Sequence, residues 1–100
     1  MSKLRDYAKG RDCQVRIVGV CNGDSATTVL AHLTLSGISG RGLKAPDQLG
    51  AWCCSECHRC VDSNGTSHKL DEDEMIEAEL AFLYGIMRTQ YELIKRGLIK

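Results

Sequence analysis

Hydrophobic and polar positions change their period along this chain, and each change marks an element. Ser2 to Lys9 reads as a short helix, capped by Ser2 and stopped by Gly10, with Leu4, Tyr7 and Ala8 as its apolar contacts. Residues 14 to 20 alternate Val15 and Ile17 against Gln14 and Arg16, the period of a strand. Asn22-Gly23 is a tight-turn pair. Thr27 to Leu35 is β-branched and apolar and reads as a second strand carrying His32. A glycine-rich loop, Ser36 to Gly50, separates it from Ala51-Trp52-Cys53, which leads into a short helix running through Val61. Asp62 to Lys69 is turn-like. From Asp71 onward Ile76, Leu80, Leu83, Met87, Tyr91 and Ile94 recur at three- and four-residue spacing, which predicts a long helix with that stripe in the core. Acidic residues at its start, Lys95 and Arg96 near its end and Gly97 as its stop fit the helix dipole and a C-terminal cap.

The chain has 100 residues, so one domain spanning 1–100 is expected: an N-terminal helix over 1–10, a metal finger over 13–62 and a C-terminal helix over 71–97. Hydrophobic residues at 43% and charged residues at 26% exclude bulk disorder and collagen. No apolar run approaches the ~20 residues that span a bilayer, so no membrane partner is expected. The start of the chain lacks the apolar segment of a signal peptide, and a cytoplasmic location is expected. Lysine plus arginine and aspartate plus glutamate balance at thirteen each, but unevenly. Residues 1–44 and 81–100 are net basic and residues 45–80 are strongly acidic. The basic ends admit contact with nucleic acid, while zero net charge argues against tight non-specific DNA binding.

Six cysteines change the picture most. In a reducing compartment cysteines mean metal, redox chemistry or buried small hydrophobes, not disulfides. Cys54-x-x-Cys57 has knuckle spacing, and zinc wants four such ligands in a tetrahedron. Cys13 and Cys21 supply the second pair only if the chain doubles back, because a straight strand would hold them ~26 Å apart. Val18-Gly19 is the place to bend. The register stays open, since Cys57-x-x-Cys60 is also a CxxC and Cys53 adjoins Cys54. Two cysteines remain as buried thiols in any four-ligand scheme. No βαβ pattern surrounds the motif, which argues against a thioredoxin-like site.

His58 and Asp62 lie four apart, so on a helix they face the same way and can hold one divalent cation. His32, ending an apolar strand, can deprotonate water as a neutral imidazole. Each of the three also has an ordinary structural role open to it. His68, in a polar turn, reads as surface. Gly37, Gly40 and Gly42 are not followed by the Lys-Ser/Thr of a P-loop. Arg41 and Lys44 can meet phosphates from that loop.

Cys13-Gln-Val-Arg-Ile-Val-Gly-Val-Cys21-Asn-Gly, Thr28-Val-Leu-Ala-His32, Pro46-Asp-Gln-Leu-Gly-Ala-Trp52-Cys-Cys54-Ser-Glu-Cys57-His58, Asp62 and Arg88-Thr-Gln, in that order, resemble the YbcO family. That prophage-encoded family is described as candidate nucleases of the HNH, or ββα-metal, type. The resemblance runs over roughly residues 5 to 98. It implies a metal-dependent endonuclease that hydrolyses DNA phosphodiester bonds without sequence preference. By position, His32 resembles the general base, Asp47 the residue that orients it, and His58 with Asp62 the helical ligands of a catalytic Mg²⁺ or Mn²⁺. Arg16, Arg41 and Lys44 would hold the DNA backbone. Looser similarity to HNH domains with a zinc knuckle implies structural Zn²⁺ on Cys13, Cys21, Cys54 and Cys57. Two departures stand out. Ala31 replaces the metal ligand usual before the base, and no middle asparagine is evident. They leave open fewer metal ligands, His32 as ligand rather than base, or a fold kept with its activity lost.

Apart from a redox or metal-buffering role for the crowded Cys53-to-Cys60 cluster, which would need exposed, low-pKa thiols, two readings follow. One is the endonuclease. The other is a non-catalytic zinc-binding module contacting DNA or a phage or host protein. Both expect a small, zinc-stapled α+β, HNH-like ββα-metal finger, a β-hairpin plus a short helix, with a long C-terminal helix packed across it. A homodimer would let one site per chain cut both strands, and phage or host recombination proteins are the further partners.

Overall fold

The computed structural model describes residues 3–34 and 45–99. Helix α1 (Lys3–Ala8) opens the described chain. Strand β1 (Val29–His32) pairs antiparallel with β2 (Gly50–Cys53), placing Leu30 opposite Trp52 and His32 opposite Gly50. Helix α2 (Ser55–Asp62) follows β2 directly, so β1, β2 and α2 stand in ββα order. Helix α3 (Glu72–Lys95) closes the molecule. Short 3₁₀ turns at Ser25–Thr27, Asp47–Leu49 and Thr66–His68 join these elements. No described helix is long and apolar enough to cross a membrane.

The expected strand at 14–20 is absent. Arg16 takes a left-handed φ of 56° and Gly19 one of 77°, conformations that break an extended backbone. The Val20 and Cys21 amides both donate to the Ile17 carbonyl, so the chain turns at Val18-Gly19. Val15 and Ile17 are buried as their alternation implied, but from a coil rather than a strand. The second strand is also shorter than expected: a 3₁₀ turn capped by Asp24 takes Thr27 out of its start, and β1 ends at His32. Strands β1 and β2 are joined by residues 33–49 rather than by a tight hairpin turn.

Helix α3 carries the caps its sequence promised. Asp71 and Glu74 form a reciprocal capping box, at 2.8 and 3.0 Å. At the other end the amides of Gly97 and Leu98 donate to Ile94 and Leu93, a Schellman closure with Gly97 left-handed. Its buried face, however, is not the expected stripe. Ala78, Phe82, Gly85, Ile86, Thr89 and Leu93 face inward, while Ile76, Leu80, Leu83, Met87, Tyr91 and Ile94 are all exposed. Small residues decide this. A Cβ on Gly85 would lie 2.8 Å from Val15 Cγ2 and 3.0 Å from Val15 Cα, so the helix packs backbone-close on the 13–17 coil.

The run Arg88-Thr89-Gln90 then ties three segments to this helix. Arg88 Nη1 donates to the Gln14 carbonyl at 2.8 Å. The Thr89 hydroxyl accepts the Trp52 amide at 3.0 Å, and Gln90 donates to the Gln48 carbonyl at 2.7 Å. Two core clusters result. One surrounds Leu30, Trp52 and Leu93 with Leu4 and Ala8 of α1. The other joins Val15, Ile17 and the cysteines to Ala31, Phe82 and Ile86. Burying these apolar groups is the main favourable term for so small a chain.

Candidate metal centre and histidine pairs

The turn at Val18-Gly19 returns Cys21 to Cys13, and both meet the start of α2. The Sγ atoms of Cys13, Cys21, Cys54 and Cys57 all lie within 4.8 Å of one another. Cys54 and Cys21 are 3.8 Å apart, the edge expected of a sulfur tetrahedron with metal–sulfur bonds of ~2.3 Å. Backbone amides point at the sulfurs, as knuckles require. Arg16 N–H donates to Cys13 Sγ at 3.5 Å and Cys57 N–H to Cys54 Sγ at 3.4 Å. These four cysteines can hold a metal such as zinc. Cys53 and Cys60 are the two left over, both buried and free.

Crowding sets the thiol acidities. Side-chain hydrogen bonds from Cys53 and Cys57 hold Cys13 far below the ordinary thiol range. The same contacts to Cys13 push Cys57 and Cys53 well up. Burial raises Cys21 and Cys60.

The histidines form pairs. His32 Nε2 lies 2.6 Å from Asp47 Oδ1, with both side chains about four-fifths buried. Arg5 Nε donates to the same carboxylate oxygen at 3.5 Å, bringing α1 to the site. His58 Nε2 lies 3.2 Å from Asp62 Oδ2 along α2, and this pair is more open to solvent. Thr27, Ser55, His58, Arg59 and Asp62 line one open cleft. Alternation along β1 puts Ala31 on the face toward Cys57 and Cys60, and His32 on the Leu30 face. Among the described residues, the four cysteines are the one set of three or more metal-ligating side chains so closely grouped. His58 and Asp62 thus offer two ligands without a third at that range.

Several residues do other work than their sequence suggested. Arg16 sits on the cysteine knuckle, its guanidinium donating to the Cys13 carbonyl at 3.1 Å and to Gln14 at 3.4 Å. Arg41 and Lys44 lie outside the described residues. His68 is not free surface. Its Nε2 is 3.0 Å from Glu56 Oε1 and its Nδ1 2.7 Å from Ser67 Oγ, locking the turn after α2 to that helix. Arg59, bound to Glu56 at 3.3 Å and beside His58 in the cleft, is the cation that sequence reasoning passed over. Its three-residue offset from Asp62 on a helix was the available signal.

This is a small α+β domain built round a four-cysteine cluster that can hold a metal ion, with three histidine–carboxylate pairs. The chain belongs to the YbcO family. The family described as "Putative nuclease YbcO" matches residues 2–98. A relative from Escherichia coli strain K12, described by the same words, is 45% identical over 100 residues, covering 100% of this chain and 99% of the relative. A counterpart from Enterobacteria phage 82 has the same identity and coverage. The solved structure of "a putative bacteriophage protein from Escherichia coli str. K-12 substr. MG1655" superposes with a TM-score of 0.74 at 40% identity, over 95% of this chain and 100% of that one.

Proposed function

We propose that this protein is a metal-dependent endonuclease of HNH type, one unit over the whole chain, acting on DNA in the cytoplasm of a phage-bearing host. The observation that carries the reading is the His32–Asp47 contact of 2.6 Å at the end of β1. A neutral imidazole that donates from Nε2 to a carboxylate presents Nδ1 as a base. Asp47 orients the ring, and Arg5 steadies Asp47. In the reaction, Nδ1 of His32 takes a proton from water as the oxygen attacks phosphorus. The bond from phosphorus to the leaving sugar oxygen breaks, and that oxygen is protonated in turn.

His58 and Asp62 would hold a catalytic Mg²⁺ or Mn²⁺, which supplies charge for the phosphate and the leaving oxygen; because α2 packs on the Ala31 face of β1 and His32 lies on the Leu30 face, substrate would have to wrap the end of the strand to meet both. Their separation of 3.2 Å is close to the ~3.0 Å edge of an octahedron with metal–oxygen bonds of ~2.1 Å. Ala31 supplies no third ligand, so water and phosphate oxygens would fill the rest. Arg59, in the same cleft, is placed to meet a backbone phosphate, a role assigned also to Arg41 and Lys44. Zn²⁺ on Cys13, Cys21, Cys54 and Cys57 would be structural, since four cysteines leave no position open for substrate.

Plasmid and single-stranded DNA cleavage by zinc-loaded protein, with Mg²⁺ or Mn²⁺ added, tests this. Metal-dependent nicking that His32→Ala and His58→Ala abolish without unfolding is the expected result. A folded, zinc-loaded parent that leaves both substrates intact sinks the enzyme reading and leaves a zinc module that binds DNA or protein.

A further inference from the structure

Ile76, Leu80, Leu83, Met87, Tyr91 and Ile94 are each 46–63% exposed. They form one stripe along α3, about 27 Å long at ~1.5 Å rise per residue. Single exposed apolar residues are ordinary, but a continuous row on one face marks an interaction surface. The row also has an internal order. Leu80, Met87 and Ile94 are seven apart, and so are Ile76 and Leu83, which is the seam of a two-helix coiled coil.

Charge says what covers it. The first half of α3 is acidic, with Asp73, Glu74, Glu77 and Glu79. The second half carries Arg88, Lys95 and Arg96 with a single acid, Glu92. Glu92 is already held by Lys95 and Arg96. Among the described residues, Asp73, Glu77 and Glu79 form no ion pair within the chain. A parallel partner helix would set acid on acid. An antiparallel copy sets each acidic half against a basic one and superposes the apolar row on itself about Gly85.

We propose that two copies of this chain pair through the outward faces of α3, antiparallel, about a two-fold axis near Gly85. Such a contact is self-complementary and closes at two. The proposal does not rest on the nuclease reading, since it invokes no histidine pair.

Sedimentation of the full, zinc-loaded chain across a dilution series tests it. The parent is expected to be a dimer that dissociates on dilution. Leu80→Glu and Met87→Glu, both at exposed positions, should each give monomers with unchanged helical circular dichroism. Glu77→Lys and Lys95→Glu should each weaken pairing about tenfold, and the two together in one chain should restore it. A parent monomeric throughout, including one that captures some other protein on this face, overturns the proposal. So does a dimer indifferent to Leu80→Glu. A double charge reversal no better than either single one overturns the antiparallel arrangement.

Discussion

The cysteine cluster and the histidine pairs are built on opposite principles. Four sulfurs converge from two distant segments into a buried group, each within 4.8 Å of the others. Each histidine stands with one carboxylate, His32 at a strand end, His58 along a helix and His68 in the turn after it, with His58 more than a third exposed. A saturated, buried ligand set binds an ion to hold chain segments together. An incomplete, accessible set leaves coordination positions for water and substrate. On the proposed reading, ligand count and access divide scaffold from chemistry here.

The hardest test of that division is Cys57→Ser. Structural zinc sites contribute folding energy outright, of order ten kcal/mol for zinc-finger peptides. The variant should lose metal and its cooperative thermal transition together, and a chelator should do the same to the parent. Retention of a sharp transition without metal would put the cluster in the same class as the histidine pairs. His32→Ala should behave the other way, with cleavage down roughly 10²- to 10⁴-fold while melting temperature and zinc content hold. Asp47→Asn should show a smaller drop in rate. If either change unfolds the protein, that pair is scaffold as well.

Gly85→Ala sharpens the boundary between cluster and helix. Its new methyl meets Val15 backbone and the Gln14 carbonyl, atoms that cannot swing aside. A loss of ~1–3 kcal/mol is expected, read as a lowered melting temperature with zinc still bound. The smallest effect is at Glu92. Hydrogen bonds from Arg96, then Lys95, hold its carboxyl below the ordinary range. A depressed carboxyl stabilises above its unfolded pKa and loses that contribution as pH falls through the folded value. Parent and Glu92→Gln melting curves should therefore differ slightly near neutrality and converge on acidification. Partial exposure and salt screening keep the difference small.

Spacing made part of this legible. Cys54-x-x-Cys57 announced a knuckle, and the need for Cys13 to reach Cys21 located the bend at Val18-Gly19, where the turn lies. The caps of α3 were written in Asp71, Glu74 and Gly97. Reading failed where tertiary approach overrode hydropathy. Hydrophobic ranking chose Ile76 to Ile94 as core, but close packing on Val15 needs the small face of Ala78, Gly85 and Thr89. Alternation at 14–20 reported which residues are buried and misreported the backbone that buries them. Arg16, chosen for its charge, is exposed and also donates to the Cys13 carbonyl and the Gln14 side chain of its own knuckle, contacts that charge alone does not reveal. The His32–Asp47 pairing was suggested by family position. Fifteen residues of separation hide it from any local pattern.

A two-stranded sheet has two outer edges, and each is an invitation to a third strand from another molecule. At Trp52 that invitation is withdrawn. Its outward N–H goes to the Thr89 hydroxyl and its outward carbonyl takes the Gln14 amide at 2.7 Å. Helix and coil thus occupy the positions a fibril would recruit. Thr89 is, in this sense, a guard against aggregation as much as a packing residue. Its loss would leave the Trp52 N–H without that partner even after the long helix has docked.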